Sequence, residues 1–381
     1  MNGTGPYESG RSLSPEPTLW DEQVSSAPSV THVVMESGGI GSWATSKYVV
    51  NLKMRPGDRF IRLFADTLME DPDLYRFLEE SGRNIGVGEH VRISDGRDPW
   101  QVFFDVRYLG NTRIDPCSFH LKRKLMRAWL ENNCDPATTV AYIGIDAGEE
   151  HRYHDAKRYW EPWTIEAPLI EAGIVFKSVL FGMLADEGIA PPALYAMGMP
   201  HNNCGGFCIK GGIDHFILLL NGDRDRYRFH EHRERQLRRY LGHTEPCRAS
   251  NPRPLGWNSE KQESWLDDPG CACPVRDVSI LRDRSVKTIT RRLGLTTDDL
   301  TRDVDENGKK GWWTVTATGE PLPKILPLTL ERLRQRVEGG EDSGSDGLDV
   351  GGCNCVNPDA SVDAEIEGLV ALPFPTVRGA A

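Results

Sequence analysis

Residues 31–43 read THVVMESGGIGSW and residues 59–82 read RFIRLFADTLMEDPDLYRFLEESG. THVVME is a short run rich in β-branched residues, SGGIGS is a glycine-rich turn, and WATSKYVVNLK has helical spacing, which predicts strand, loop and helix. RFIRLFADT predicts a second strand ending in Asp66-Thr67. DPDLYRFLEESG predicts a helix with Asp71 near its N-cap, Pro72 in its first turn and Gly82 closing it. Two βα units in series set the fold class.

Working outward, HVRIS is a weaker strand signal, TTVAYIGID a stronger one and WTIEAPL a fifth, with a helix from about Ser118 to Glu131 between them. Strands alternating with helices predict an α/β fold, a Rossmann-like parallel sheet with helices on both faces. Beyond Ala172 the strand signal fades, and FKSVLFGMLADEG, CGGFCIKGGIDHFILLL and DRYRFHEHRERQLRRYLG predict a helical C-terminal subdomain. The expected organisation is a disordered arm at 1–28, a nucleotide-binding α/β domain at 29–172 and a helical subdomain at 173–245. An irregular insertion at 246–325, a helix at 326–340 with Thr329 near its cap, and an acidic tail at 341–381 follow. No internal repeat is evident.

The chain has 381 residues, 39% of them apolar before its 38 glycines are counted, with ten tryptophans, so a sizeable core is expected. No apolar run approaches the roughly 18 residues that span a bilayer, and MNGTGPYESGRSLSPEP lacks the order of a signal peptide. A cytoplasmic protein with no membrane partner is the expectation. The net charge of -11 is concentrated in the tail, where nine acids stand against Arg378, so the body does not exclude an anionic substrate.

Ser37-Gly38-Gly39-Ile40-Gly41-Ser42 lies between a strand and a helix, where backbone N–H groups and the positive helix end hold anions. It is neither a Walker A loop nor a dinucleotide fingerprint. It reads as a phosphate site or as a plain tight turn. Glu149-Glu150-His151-Arg152 follows the TTVAYIGID strand at the edge where open α/β sheets place ligands, so Glu150, His151 and Arg152 read as site lining or as a hydrated loop.

Nine cysteines in a cytosolic chain point away from a disulfide framework and toward metal or redox chemistry. His201-Asn202-Asn203-Cys204-Gly205-Gly206-Phe207-Cys208 sets two thiols four apart, expected on a first helical turn whose positive end stabilises thiolates. Such a pair needs further ligands, for which Cys117 and the Cys353 and Cys355 of GGCNC are the candidates, completing a four-thiolate zinc site or an iron–sulfur cluster. A buried structural corner or a redox pair are the other readings. Cys271 and Cys273 read as metal ligands or as incidental, and Cys134 and Cys247 have no assigned role.

VVMESGGIGSW with LFADTLMEDPDLYRFL resembles the PP-loop ATP pyrophosphatases (adenine nucleotide alpha hydrolase-like), most closely their phosphoadenosine phosphosulfate (PAPS) reductase-like branch. The resemblance spreads over about residues 30–220, through Cys117-Ser118 with Leu121-Lys122, Gly144-Ile145 with Glu150-His151-Arg152, Pro162-Trp163 and CGGFC. It implies that Ser37, Gly38, Gly39, Gly41 and Ser42 hold the phosphates of ATP or the sulfate of PAPS, with Asp66 and Thr67 nearby. Ser37, Ser42 and Asp66 become the expected catalytic residues.

Ile40 and Gly41 stand where the family often has Lys and Asp. Lys122, Lys124, Arg152 or Mg²⁺ would then balance the charge, Asp66 either holding Mg²⁺ or capping its turn. The resemblance also implies a [4Fe–4S] cluster.

Three functions follow. The first is ATP-dependent adenylation with pyrophosphate release, extending to sulfur transfer onto a nucleic-acid base. The second is PAPS or adenylyl-sulfate reduction, although the family's ECGLH motif is missing. The third is an inactive nucleotide-binding protein. The Arg-rich stretch 223–239 reads as a nucleic-acid surface or as a solvated face laced with Arg–Glu pairs.

Overall fold

β1 (Thr31–Glu36) and β2 (Arg59–Asp66) are buried along almost their whole length, as expected of strands covered on both faces. With β3 (Glu89–Ser94), β4 (Thr139–Tyr142) and β5 (Thr164–Glu166) they form one parallel sheet in the order β3-β2-β1-β4-β5. Val33 of β1 is level with Ile61 on one side and Ala141 on the other. β3 is an edge strand whose side chains alternate between exposed and half-buried, which is why HVRIS is a faint signal. The computed structural model describes residues 29–111, 113–174, 176–244, 272–282, 289–290, 293–304, 310–323 and 326–341.

The helices are α1 (Ile40–Tyr48), α2 (Pro72–Ile85), α3 (Pro99–Asp105), α4 (Lys124–Asn133) and α5 (Glu150–Tyr159), then α6 (Lys177–Asp186), α7 (Ile213–Gly222), α8 (Arg224–Gly242) and α9 (Leu330–Glu338). Alternate strand residues point to opposite faces. Val33, Met35, Ile61 and Leu63 pack with Leu130, Trp160 and Trp163, on the side of α4 and α5. Val34, Phe60 and Tyr142 pack with Trp43, Phe77 and Leu180, on the side of α1, α2 and α6. The chain is therefore an α/β protein with a Rossmann-like parallel sheet.

A helical C-terminal region has its own core, in which Phe216, Leu219, Tyr227, Leu237, Leu330 and Leu333 from α7, α8 and α9 meet Trp100 and Phe104 of α3. Trp100 Nε1–H donates to His230 Nδ1 (3.0 Å), and Phe207 stacks on His230 at 4.0 Å. Among the described residues no helix is long and apolar enough to cross a membrane.

Two local readings change. Asp71 does cap α2, accepting the Asp73 N–H (2.9 Å) with Pro72 at the first position, but the helix runs through Gly82 and ends at Gly86, which takes φ +75°. Gly82 is needed for space, since a Cβ there would lie 2.5 Å from Arg62 Nη2. Arg62 is buried and donates to Glu36 (3.1 Å).

The stretch expected to be irregular contains short antiparallel pairs, Leu281–Arg282 with Pro327–Leu328 and Leu300–Val304 with Lys310–Val315. Periods this short leave little trace in sequence. The arm at 1–28, the whole of 245–271 with Cys247 and Cys271, and the tail beyond 341, with Cys353 and Cys355, lie outside the described residues.

Candidate functional site

The chain leaves β1 toward β2 and β3 on one side and returns through β4 and β5 on the other, so the sheet order reverses between β1 and β4. Ligands of open α/β sheets bind at the carboxyl ends of the strands at such a point. Residues 37–42 lie there, between β1 and α1, and a crevice opens on Ser37, Gly39, Ile40 and Gly41.

Each loop glycine has its own reason. Gly38 takes φ +73°, and a Cβ on it would lie 2.7 Å from the Leu74 side chain. Gly39 caps α1 in an extended conformation without a side-chain cap, leaving the helix start open to an anion. Gly41 and Gly144 press backbone on backbone: a Cβ on Gly41 would stand 2.7 Å from the Gly144 carbonyl oxygen. This contact seats α1 against the chain leaving β4. Ser42 is buried and donates to the Gly39 carbonyl (2.9 Å), so it shapes the loop, while Ser37 faces the crevice.

The far wall comes from segments remote in sequence: Asp146 and Glu149 after β4, Lys177 at the start of α6, Tyr195, and His201-Asn202-Asn203. Burial, with Glu149 nearby, raises the Asp146 carboxyl, and burial lowers the Lys177 ammonium. Burial, followed by the charges of Lys177 and Arg152, holds His201 down to about 3, so its ring is neutral at neutral pH. Burial pushes the Tyr195 phenol up to about 12. Asn202 Nδ2 donates to the Gly38 carbonyl (2.8 Å), whereas its buried Oδ1 has no partner among the described residues.

Glu150 and His151 occupy the exposed first turn of α5, outside the crevice. Arg152 is buried and pairs with Glu149.

A second cavity adjoins the first. Cys117, Cys204 and Cys208 line it together with Asn203, which also lines the crevice. The two thiols of CGGFC are not on a helical turn: Cys204–Gly206 is a 3-10 turn with Cys204 at φ 49°, and α7 begins only at Ile213. The expected thiolate stabilisation is therefore reversed. Burial pushes Cys204 up to about 12 and raises Cys208 and Cys117 as well.

The charged groups beside the thiols come from the loop after β2 and from the helical turn Phe119–Arg123 that leads into α4. Lys122 and Glu70 are buried as an ion pair (3.8 Å). Burial alone would lower the Lys122 ammonium, but facing Cys204, Glu70, Cys208 and Cys117 it is raised. Thr67 donates to Glu70 (2.9 Å) and reaches Cys204 Sγ at 3.9 Å, and the Cys204 N–H donates to Glu70. Asp66 is fully buried; it accepts from the Leu68 N–H (2.8 Å) and the Tyr75 hydroxyl (3.1 Å) and pairs with Arg92. Thr67 and Lys122 thus stand beside the thiols, Asp66 is held by Leu68, Tyr75 and Arg92, and none of the three lines the crevice. Lys124 starts the second part of the helix at 116–133 and is exposed.

Among the described residues no group of three or more His, Cys, Asp or Glu side chains stands close enough to hold a metal ion. The arginines of 223–239 are largely engaged: Arg224 with Glu338, Arg226 with Asp71 and Asp223, and Arg228 with Glu231.

No family model and no curated protein matches the chain. Among solved structures, the crystal structure of phosphoadenylyl-sulfate (PAPS) reductase from Candida auris, in a phosphate complex, is similar to part of it. The identity is 11% and the TM-score 0.32, covering 47% of this chain and 83% of that one.

Sequence reasoning missed Glu70, Asp146, Glu149, Lys177, Tyr195 and the two asparagines as a group. The run HNNC did carry a signal, because adjacent amides before a glycine-rich turn are donors and acceptors in a fixed backbone.

Proposed function

We propose that the crevice at residues 37–42 binds an adenine nucleotide by its phosphates, and that the protein is a PP-loop-type enzyme activating a substrate as an adenylate. The observation that carries this reading is the uncapped start of α1 at the point where the sheet order reverses. A substrate oxygen would attack the α-phosphorus of ATP, and pyrophosphate would leave with the bonding pair of the α,β-bridge. The amides at the start of α1 and the Ser37 hydroxyl would stabilise the charge growing on pyrophosphate. A nucleophile then displaces AMP.

The buried, unpartnered Oδ1 of Asn202 supports a ligand carrying a hydroxyl or amino donor, as ribose and adenine do. The carboxylates that line the crevice, Asp146 and Glu149, would hold Mg²⁺, whereas Asp66 does not line it.

Sulfur as the nucleophile is favoured by one observation, the thiol cavity that shares Asn203 with the crevice. The three thiols line one cavity beside a buried ammonium but do not stand close enough to share one metal ion, so a zinc site is set aside and an iron–sulfur cluster is the group proposed for them. Cys117, Cys204 and Cys208 would hold it, and Lys122 would favour their thiolate forms. When bound, such a cluster supplies sulfide or electrons. The same neighbourhood suits the alternative, in which a thiolate attacks the sulfonate sulfur of PAPS or adenylyl sulfate, the S–O bond to the phosphate breaks with its pair going to the departing nucleotide, and a cysteine S-sulfonate remains.

The test is binding of ATP against PAPS to protein purified without oxygen, with iron and zinc counted and products followed. Ser37→Ala and Gly39→Val are the controls, the second because a side chain there meets the Tyr195 hydroxyl at about 3.1 Å. ATP preference with AMP and pyrophosphate formed supports adenylation, and PAPS preference promotes the reductase. Nucleotide binding without turnover supports an inactive binder. Equal binding by wild type and both variants sinks the loop assignment.

A further inference from the structure

Away from the sheet edge, a cleft of about 380 Å³ is lined by Arg107, Tyr108, Arg276 and Arg282, with Tyr240 and Leu241 at its side. No acidic residue lines it among the described residues. Neither the crevice nor the thiol cavity uses any of these residues.

The three arginines sit on backbone that is held in place. Arg107 follows α3 in the left-handed region (φ 52°), with its N–H bonded to the Phe104 carbonyl (3.3 Å). Arg276 is clasped to the end of α8: its N–H donates to the Arg238 carbonyl (3.1 Å), and its own carbonyl accepts from Arg238 Nε (3.1 Å). The chain then runs to Ile280, whose N–H donates to buried Glu234 (3.1 Å), and Arg282 pairs in register with Pro327. Tyr108 accepts from Asn111 Nδ2 (2.7 Å), which leaves its own O–H to donate.

Three guanidinium forks and a phenol donor around one open cleft match the tetrahedral oxygens of a phosphate. We infer that this cleft is a binding site for a phosphate group. The chemistry is shared by two sources, a small phosphate such as inorganic phosphate or a mononucleotide, and the backbone of a single-stranded nucleic acid. For the second, the half-buried Tyr108 offers an aromatic surface of the kind that accompanies basic grooves for single strands. The inference stands independently of the loop reading.

The experiment is fluorescence anisotropy with a labelled single-stranded 20-nucleotide DNA, competed by inorganic phosphate and by AMP, with phosphate binding also followed directly by calorimetry. Arg276→Ala, Arg282→Ala and Arg107→Asn are compared with wild type, Asn being chosen because it tolerates the left-handed backbone. Circular dichroism and melting temperature confirm the fold of each variant. Each substitution is expected to weaken binding by about tenfold or more, and to flatten the dependence of affinity on salt by about one counterion.

ATP binding at the loop should be unchanged in these variants, and Ser37→Ala should leave the cleft's affinity unchanged. Oligonucleotide binding that responds to all three variants supports the strand. Phosphate binding that responds to them without oligonucleotide binding supports the small ligand in the same cleft. No binding of either probe, or binding unaffected by the three variants, overturns the inference.

Discussion

The crevice and the thiol cavity are neighbours along one sheet edge, joined by the segment His201–Cys204, yet they are made of different material. The crevice takes its shape from backbone: Gly38, Gly39 and Gly41 clear the space, Gly144 receives α1, and the donors are main-chain amides. The thiol cavity is made from buried side chains, with Cys117, Cys204 and Cys208 facing the Glu70–Lys122 pair. Damage to the first should appear mainly in ligand binding, and damage to the second mainly in stability.

The largest effect is expected from Lys122→Met, which leaves Glu70 buried without its counter-charge and should cost about 3–5 kcal/mol in denaturant unfolding. Adding Glu70→Gln should recover much of that loss. A double variant no better than the single one would break the assignment of the pair. Next comes Gly144→Ala, whose Cβ would meet the Gly41 carbonyl carbon and the Ser42 nitrogen at 2.8 Å. Overpacking of about 1–3 kcal/mol and lost nucleotide binding together are expected, and unchanged binding would show that the seat of α1 does not set the crevice.

Ser37→Ala should lower nucleotide affinity about tenfold, the range of one hydrogen bond to a charged group, with the melting temperature unmoved. A change in melting temperature without a change in affinity would make Ser37 structural.

A further effect is a pH slope, which removes no contact at neutral pH and is read only across an interval. Burial, opposed by Arg62, raises Glu36 from 4.5 to about 7, so the folded protein holds this proton more tightly than the unfolded chain. The stabilisation is complete below about pH 4.5 and is lost as pH rises through about 7. Against wild type, Glu36→Gln should remove that downward slope, and parallel stability curves over this interval would contradict the assignment.

What could be read beforehand follows the same division. The loop was legible because its parts are contiguous, strand, glycines and helix following one another from Thr31 to Tyr48, and the buried strands announced themselves by apolar runs while HVRIS did so only faintly. Gly82 was misread because its partner, Arg62, lies twenty residues away across the sheet, while a glycine near a helix end looks locally like a stop. Asp146 and Glu149, Lys177, and Asn202 converge only after three separate segments pack. Glu70 gave no local cue, since an acidic residue between a strand and a capped helix is ordinary until Lys122 is brought against it.

The most direct measurement is a crystal structure of the oxygen-free protein soaked with ATP. The terminal phosphates should lie on the amides of residues 39–42 and the Ser37 hydroxyl, with the nucleoside running toward Asn202 and Asn203. Phosphates resting instead among Arg107, Arg276 and Arg282, with residues 37–42 uncontacted, would contradict the assignment of the loop.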